Sequence, residues 1–243
     1  MEYDVLAAFY DELVGVDYGA LYRYIQGIWE RFEHAPKIVL DLGCGTGSLI
    51  PYLEKGRQVI GVDISSAMLS IAMQKVNAST LLLCQDMCDL DLYGTVDTIV
   101  CMLDCLNALP DVQAVAQTLQ RAALFLSPGG LMVFDINTPY KYLSLLDGNT
   151  TVYDTQSVYC IWQSACDNRS SCCDFYLDFF IPDRHGLYTR KREEMRQRIY
   201  EIEQMRDMIM SSGLDLLAVY GDRTFSSPAP TDGRAYFVAR KPL

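Results

Sequence analysis

The sequence is poor in the residues that build metal centres and in positive charge. Only two histidines occur among 243 residues, His34 and His185, and the nine cysteines include no C-x-x-C pair, so no metal site is predicted. The formal net charge of −11 disfavours nucleic acid as a partner. No apolar run approaches the ~20 residues that span a bilayer, so no membrane partner is expected either. A small molecule is the substrate class that these absences leave.

The N-terminal stretch "MEYDVLAAFYDEL" carries acids where a secretory signal would have a basic region followed by an apolar run. Most cysteines stand in apolar runs, where a thiol behaves as a small hydrophobe. These features predict a cytoplasmic protein in which all nine cysteines are reduced.

Strands alternate with helices over the first 138 residues. Short apolar runs predict strands at 37–42, 58–62, 80–84, 98–102 and 131–136. Helices are predicted between them at 47–54, 66–76 and 111–126, the last stopped by "SPGG". Continuously apolar strands joined by helices indicate a parallel sheet.

The rhythm changes after Asn137. An aromatic-rich stretch with turn signals at "DNRSS" and "PDRHG" predicts a β-meander inserted after the fifth strand. A helix at 202–211 and strands at 215–220 and 235–240 then complete the chain, and the strand-turn-strand ending is antiparallel in character. We therefore expect one domain over residues 1–243, made of an N-terminal helical segment (1–36), a core (37–138), a cap (139–200) and a closing segment (201–243).

The stretch "IVLDLGCGTGSLIPYL", residues 38–53, places glycines at alternate positions after the first strand. Glycine there lets a ligand approach the backbone at the carboxyl edge of the sheet. An NAD-binding loop would need a third glycine at position 48, which is Ser48, and no G-K-[ST] follows, which excludes a P-loop. The pattern that remains is G-x-G-x-G preceded by Asp41.

In this pattern the chain resembles the class I S-adenosylmethionine-dependent methyltransferases, whose first motif is similar to "VLDLGCGTG". Later motifs are similar to "VIGVDIS", "LLLCQDMCDL", "TIVCMLDCLNAL" and "LSPGGLMVFDINT", in the family order, over residues 37–138. The stretch "FYDELVGVDYGALYRYI" also resembles the N-terminal segment of a subgroup of small soluble methyltransferases.

The resemblance implies a Rossmann-like, doubly wound, mostly parallel seven-stranded sheet with an antiparallel last strand and a small β-rich cap. It implies S-adenosylmethionine as cofactor, with Asp63 at the ribose, Asp86 at the adenine amino group, Asp41 and the glycine loop at the methionine portion, and residues 101–103 beneath. The full predicted cofactor set is Tyr10, Asp41, Gly43, Cys44, Gly45, Gly47, Asp63, Ile64, Met68, Asp86, Met87, Cys101, Met102 and Leu103.

Several of these positions have a second interpretation. Asp63 could instead cap the helix that follows, although Ser65 suits that role. Asp89 and Asp91 compete with Asp86 for the adenine. Tyr10 either closes over the methionine end of the cofactor or belongs to the apolar face of its helix. Asp104 and Asn107 either cap a short helix or reach the substrate.

The cap is expected to hold the acceptor. Its aromatic residues either line the substrate pocket or form the cap's own core: Tyr153, Tyr159, Trp162, Phe175, Tyr176, Phe179 and Phe180. Where relatives often have E-H-x-x-R-x-Y, this chain has "EEMRQRIY", so that Met195 replaces a histidine that could act as base. No catalytic residue is assigned, and the candidates are Tyr10, Asn107, Arg198 and Tyr200.

Methyl transfer to a small molecule is the predicted function. A cofactor-binding scaffold or sensor without turnover is an alternative that Met195 favours. An NAD-dependent oxidoreductase is a second alternative, disfavoured by Ser48 and by the missing second domain.

Overall fold

The computed structural model describes residues 4–243, which form two β-sheets and six α-helices. The helices are α1 (Leu6–Val14), α2 (Tyr18–Arg31), α3 (Ile50–Leu53), α4 (Ser66–Ala72), α5 (Val112–Phe125) and α6 (Ile202–Ser211). The strands are β1 (Ile38–Leu42), β2 (Gln58–Asp63), β3 (Leu81–Cys84), β4 (Val96–Cys101), β5 (Leu126–Asn137), β6 (Thr150–Asp154), β7 (Tyr159–Asp167), β8 (Cys172–Pro182), β9 (Tyr188–Arg198), β10 (Asp215–Gly221) and β11 (Arg234–Arg240). No helix within these described residues is both long and apolar enough to cross a membrane.

The larger sheet has seven strands in the order β10-β11-β5-β4-β1-β2-β3. Strands β1 to β5 pair in parallel, whereas β11 runs antiparallel to both β5 and β10. The predicted doubly wound sheet with an antiparallel last strand is thereby confirmed. Strand order reverses between β1 and β4, which is where open sheets of this kind bind ligands.

Helices cover both faces of this sheet. One buried cluster joins α2, α3 and α4 to one face, and a second joins α5 and α6 to the other. Three of the helices begin at a side-chain cap, in which Asp17, Ser65 or Asp111 accepts a hydrogen bond from a backbone N–H three residues later. Since Ser65 caps α4, the carboxylate of Asp63 is left for another role.

Two predicted helices are shorter in the structure. The helix predicted at 47–54 begins only at Ile50, because Gly47 has a left-handed backbone with φ of +72°. The helix predicted at 66–76 ends at Ala72, after which Lys75 N–H bonds three residues back to the Ala72 carbonyl oxygen at 2.9 Å.

The cap is a four-stranded antiparallel meander in the order β6-β7-β8-β9, as the sequence predicts. Alternation along β8 buries Phe175, Leu177 and Phe179 on the inner face. The inner face packs on α1, where Phe9 stacks on Phe179 with ring centroids 6.1 Å apart. The cap is therefore attached to the N-terminal helix as well as to the sheet.

The expectation that all nine cysteines are reduced is wrong for two of them. Cys166 and Cys173 are joined by a disulfide, while the other seven are free. The cause is strand register: the two residues face each other across the β7–β8 hairpin, with Cα atoms 3.9 Å apart. That pairing depends on the position of the turn, which cysteine spacing alone does not reveal.

Candidate active site

A cavity of about 600 Å³ opens at the carboxyl edge of the seven-stranded sheet, beneath the cap. Its walls come from the loop after β1, the ends of β2 to β5, helix α1 and the inner face of the cap. One continuous space thus joins the glycine loop to the cap aromatics.

The three loop glycines differ in what their missing side chains leave open. All three have positive φ: +77° at Gly43, +53° at Gly45 and +72° at Gly47. A Cβ atom at Gly43 would lie 2.6 Å from the Cys105 sulfur, and one at Gly47 would lie 2.7 Å from the Ala72 Cβ, so both serve close packing. A Cβ at Gly45 would meet nothing within 4 Å, and this residue lines the cavity. Gly45 therefore keeps ligand space open.

Asp63 ends β2 and faces the cavity. One carboxylate oxygen accepts the Gly45 N–H and the other accepts the Ser65 N–H, each at 2.8 Å. Burial raises the pKa of this carboxyl, and the backbone N–H bonds from Ser65 and Gly45 lower it in part. Each oxygen retains a lone pair for a ligand hydroxyl.

Asp41 lies in β1, two residues before the glycine loop, and is only 3% exposed. Its Oδ2 atom has no hydrogen-bond partner within the part of the chain that the structure describes. Burial, assisted by the negative charge of Asp63, raises the pKa of Asp41 to about 7. The residue does not line the cavity.

This raised pKa predicts a pH-dependent stability. The pKa of Asp41 in the folded protein lies above its unfolded value of about 3.9, so folding favours the protonated carboxyl. The stabilisation from Asp41 is therefore complete below about pH 3.9 and is lost as the pH rises through about 7. Relative to Asp41→Asn, the wild type should lose about 2 kcal/mol of unfolding free energy between pH 5.5 and pH 8, at 1.36 kcal/mol per pH unit. Urea unfolding of both proteins without ligand measures this difference. Parallel stability curves would show that Asp41 is ionised throughout.

The outer end of the cavity suits a flat ring. Ile64 is 60% exposed at its mouth, with Met68 and Met87 nearby on the wall. Asp86 also lines this end, and one of its oxygens accepts the Cys88 N–H at 2.9 Å. Gln85, which sequence analysis did not identify, stands beside it.

The two competitors of Asp86 lie outside the cavity lining. The Asp89 carboxylate accepts a hydrogen bond from Gln117 on α5 at 3.1 Å. The backbone of Asp91 is paired with the Gln85 side chain by two bonds of 3.1 Å. Of the three acids, only Asp86 lines the cavity.

Helix α1 closes one side of the cavity through Leu6 and Tyr10. Its first N–H groups donate to the carboxylate of Glu193 on the cap, at 2.5 and 3.0 Å. On the core side, the Asp11 carboxylate accepts hydrogen bonds from Thr46 at 2.7 Å and from Ser48 at 2.9 Å. Tyr10 both lines the cavity and packs against the cap's buried cluster, so its two predicted roles are compatible.

A buried ionic network that sequence reasoning missed forms the floor between the two ends. Leu103 and Asp104 have left-handed backbones, with φ of +65° and +56°, and their N–H groups donate to the Asp135 carboxylate at 2.7 and 3.2 Å. Arg234 donates to Asp135 and, at 2.7 Å, to Asp104. Burial raises the pKa of Asp135, against the lowering effect of the Arg234 charge. This network fixes the turn after β4 in a conformation that non-glycine residues seldom adopt.

The inner end of the cavity is lined from the cap by Tyr153, Trp162, Phe175 and Met195. Trp162 contacts both neighbouring aromatics, with centroid distances of 6.2 Å to Tyr153 and 6.3 Å to Phe175. The remaining aromatic candidates are not on this wall. Phe179 belongs to the cap's buried cluster, and Tyr176 faces away, beneath the Arg192 guanidinium.

Some predicted cofactor residues do not line the cavity: Asp41, Cys44, Gly47, Cys101 and Met102. Cys101 ends β4 and Met102 follows it, and their side chains are buried in the clusters on either side of the sheet. The chain reaches the cavity one residue later, at Leu103.

Three predicted catalytic candidates also lie away from the cavity wall. The Asn107 amide is occupied, since it donates to the Arg198 carbonyl oxygen at 2.8 Å and accepts from the Asn137 N–H at 3.0 Å. Arg198 donates to the Pro110 carbonyl oxygen at 3.3 Å, and Tyr200 is 1% exposed within the core. Their surroundings are those of structural residues, and Tyr10 is the one candidate at the wall. Across residues 4–243 no group of three histidine, cysteine or acidic side chains could hold a metal ion.

Comparison with known proteins identifies the class. A family model for the methyltransferase domain matches residues 39–130. The chain is 31% identical to a predicted methyltransferase of Geobacillus sp. (strain WCH70), over 99% of this chain and 100% of that protein. It is also 31% identical to YqeM, a predicted methyltransferase of Bacillus subtilis (strain 168), over 99% and 98% of the two chains.

A solved structure supports the same assignment. The crystal structure of an S-adenosylmethionine-dependent methyltransferase from Clostridium acetobutylicum ATCC 824 matches with a TM-score of 0.88 and 28% identity, covering 99% of both chains. The protein belongs to the class I S-adenosylmethionine-dependent methyltransferases. The predicted fold and cofactor are thereby confirmed.

The residues present fit this cofactor. S-adenosylmethionine carries a sulfonium and an ammonium, and the buried Oδ2 atom of Asp41, two residues before the loop, is an acceptor without a partner among the described residues. Its ribose has two hydroxyls, which suit the cavity-facing carboxylate of Asp63. The free space at Gly45 lets a ligand lie close to the backbone of the loop.

Proposed function

We propose that this methyltransferase works in the cytoplasm and transfers the methyl group to a small molecule held between the glycine loop and the cap. The continuity of the 600 Å³ cavity between these two elements carries the proposal. The volume is that of a small-molecule site rather than of a groove for a macromolecule. Seven free cysteines are consistent with a reducing compartment, whereas the Cys166–Cys173 disulfide is not.

The glycine-loop end of the cavity is proposed to hold the cofactor. Asp63 would accept the ribose hydroxyls while keeping its bond to Gly45. Asp86 would accept from the adenine amino group, with Ile64 and Met87 against the ring. Tyr10 would cover the methionine portion from α1. These roles follow from position on the wall and from donor and acceptor chemistry.

The bound cofactor supplies an activated methyl group on a positively charged sulfur. The protein's task is to align an acceptor atom with that group and to exclude water. Leu103 and Asp104, held by Asp135 and Arg234, form a rigid floor where the two ends of the cavity meet. Helix α1 and the cap close the sides.

Met195 lines the acceptor end and is 8% exposed, so the position of the relatives' histidine carries an apolar side chain here. It cannot accept a proton. We therefore expect an acceptor atom that reaches the site already deprotonated or that loses its proton to water.

A turnover assay tests this function. S-adenosylhomocysteine formation should be measured with a panel of small amines, phenols and carboxylic acids, and at least one acceptor should exceed the background of the Gly45→Val variant. If the wild type binds S-adenosylmethionine and its product but methylates no member of a broad panel, the result would favour a scaffold or sensor without turnover over a methyltransferase.

The cap aromatics provide a sharper prediction. Trp162→Ala should lower kcat/KM at least tenfold, which corresponds to about 1.4 kcal/mol of transition-state stabilisation, because its ring lines the acceptor end. Tyr176→Ala is the matched control, since Tyr176 follows Phe175 in β8 and its side chain lies on the opposite face of the cap sheet. Both variants should bind S-adenosylmethionine like the wild type. Equal losses in the two variants would mean that the cap contributes only structure.

A further inference from the structure

Lys141 is a cation at the acceptor end that the proposed mechanism does not use. It follows β5 and begins the helical turn Lys141–Leu146. Lys141 lines the cavity. The aliphatic part of its side chain lies next to Gly233, where a Cβ atom would be 3.7 Å from the Lys141 Cδ atom. Its Nζ atom donates to the Asn137 Oδ1 atom at 2.9 Å.

The carboxylates around this lysine are bound by other groups. Arg234 donates to both Asp104 and Asp135 through its two terminal nitrogens. Asp222 accepts the backbone N–H groups of Gly233 at 3.1 Å and Arg234 at 2.9 Å. Among the described residues Lys141 makes no ion pair within 4.0 Å, and Asn137 Oδ1 is the one hydrogen-bond acceptor of its ammonium group.

An ammonium group has three donors, so two remain at the cavity wall. Burial lowers the pKa of Lys141 and the positive charge of Arg234 lowers it further, against the raising effect of the Asp104, Asp135 and Asp222 carboxylates. A partly desolvated cation with one neutral partner is stabilised by an incoming anion. The cap contributes Tyr153, Trp162 and Phe175 to the same cavity wall.

We propose that the acceptor is a small molecule with an apolar body and a carboxylate, and that Lys141 binds the carboxylate. This rests on the proposed function, because it assigns one end of the same cavity. A monoanion fits better than a phosphate dianion, since Lys141 is the one cation here without an ion pair and the carboxylates of Asp104 and Asp135 would repel a second negative charge.

The test uses protein saturated with S-adenosylhomocysteine, titrated by calorimetry. The probes are benzoate, phenylacetate and 3-phenylpropionate, each beside its primary amide. At least one carboxylate should bind the wild type at least tenfold more tightly than its amide. Lys141→Met should remove this preference, Lys141→Arg should keep most of it, and the exposed-residue control Lys191→Met should match the wild type.

The outcomes separate this inference from the proposed function. If no carboxylate binds better than its amide, whether or not either binds, or if Lys141→Met retains the preference, the assignment of Lys141 is wrong. If Lys141→Met weakens S-adenosylhomocysteine binding tenfold or more, the lysine belongs to the cofactor end and the inference also fails. If the wild type does not bind S-adenosylhomocysteine at all, it is the proposed function that fails.

Discussion

Gly45→Val should weaken S-adenosylmethionine binding at least a hundredfold while the protein still unfolds cooperatively. The residue has φ of +53° and its absent side chain points into open space on the cavity wall. A β-branched residue there would fill the volume that the cofactor needs close to the backbone. The left-handed conformation adds a folding penalty of about 1–2 kcal/mol, which the variant should tolerate.

A matched control separates this backbone strain from loss of the site. Gly56 has φ of +74°, and a Cβ atom there would meet nothing within 4 Å. It lies in the turn before β2, away from the cavity. Gly56→Val should show a similar loss of thermal stability with unchanged affinity. Normal cofactor binding by Gly45→Val in calorimetry would mean that the loop is not the cofactor site.

Asp63→Ala should weaken the same binding by about 2 to 3 kcal/mol, the usual contribution of hydrogen bonds to a charged group, or roughly 30- to 150-fold. The carboxylate also holds the N–H groups of Gly45 and Ser65, so part of the loss comes from a less ordered loop. Asp63→Asn, which keeps one carbonyl oxygen, should fall between the wild type and the alanine variant.

Asp97 offers a control of the same chemistry at the other end of β1. Its carboxylate accepts the backbone N–H groups of Lys37 at 2.8 Å and Ile38 at 3.0 Å. Asp97→Ala should destabilise the fold to a similar degree and leave cofactor affinity unchanged. If Asp63→Ala binds like the wild type in calorimetry, the ribose role is wrong and the residue serves only to order the loop.

The positions of Asp63 and Asp86 at the cavity could be predicted from the sequence because their determinants are local. Each acid follows a recognisable apolar strand, so parallel topology alone brings Asp63 and Asp86 to the edge where the glycine loop lies. The cap likewise followed from aromatic density and turn signals.

The ionic network of Asp104, Asp135 and Arg234 could not be predicted, because its contacts join distant parts of the chain. Arg234 and Asp104 are separated by 130 residues, and no motif marks either one as an ion-pair partner. Lys141 lies in a stretch without a signature.

The predicted roles of Arg198 and Tyr200 were taken from a motif position without the direction of the side chains. Along β9, Met195 and Gln197 line the cavity, so alternation turns Arg198 to the opposite side. Tyr200 follows the end of the strand and enters the core. Which residues of an edge strand face the cavity depends on the register of that strand, and the sequence does not determine this register.

Calorimetric titration of the wild type with S-adenosylmethionine, S-adenosylhomocysteine and NAD tests the central claim most directly. We expect S-adenosylmethionine to bind with one equivalent per chain, S-adenosylhomocysteine to compete with it, and NAD to give no binding heat. Binding of NAD with no response to either sulfur compound would contradict the assignment of the glycine-loop end of the cavity.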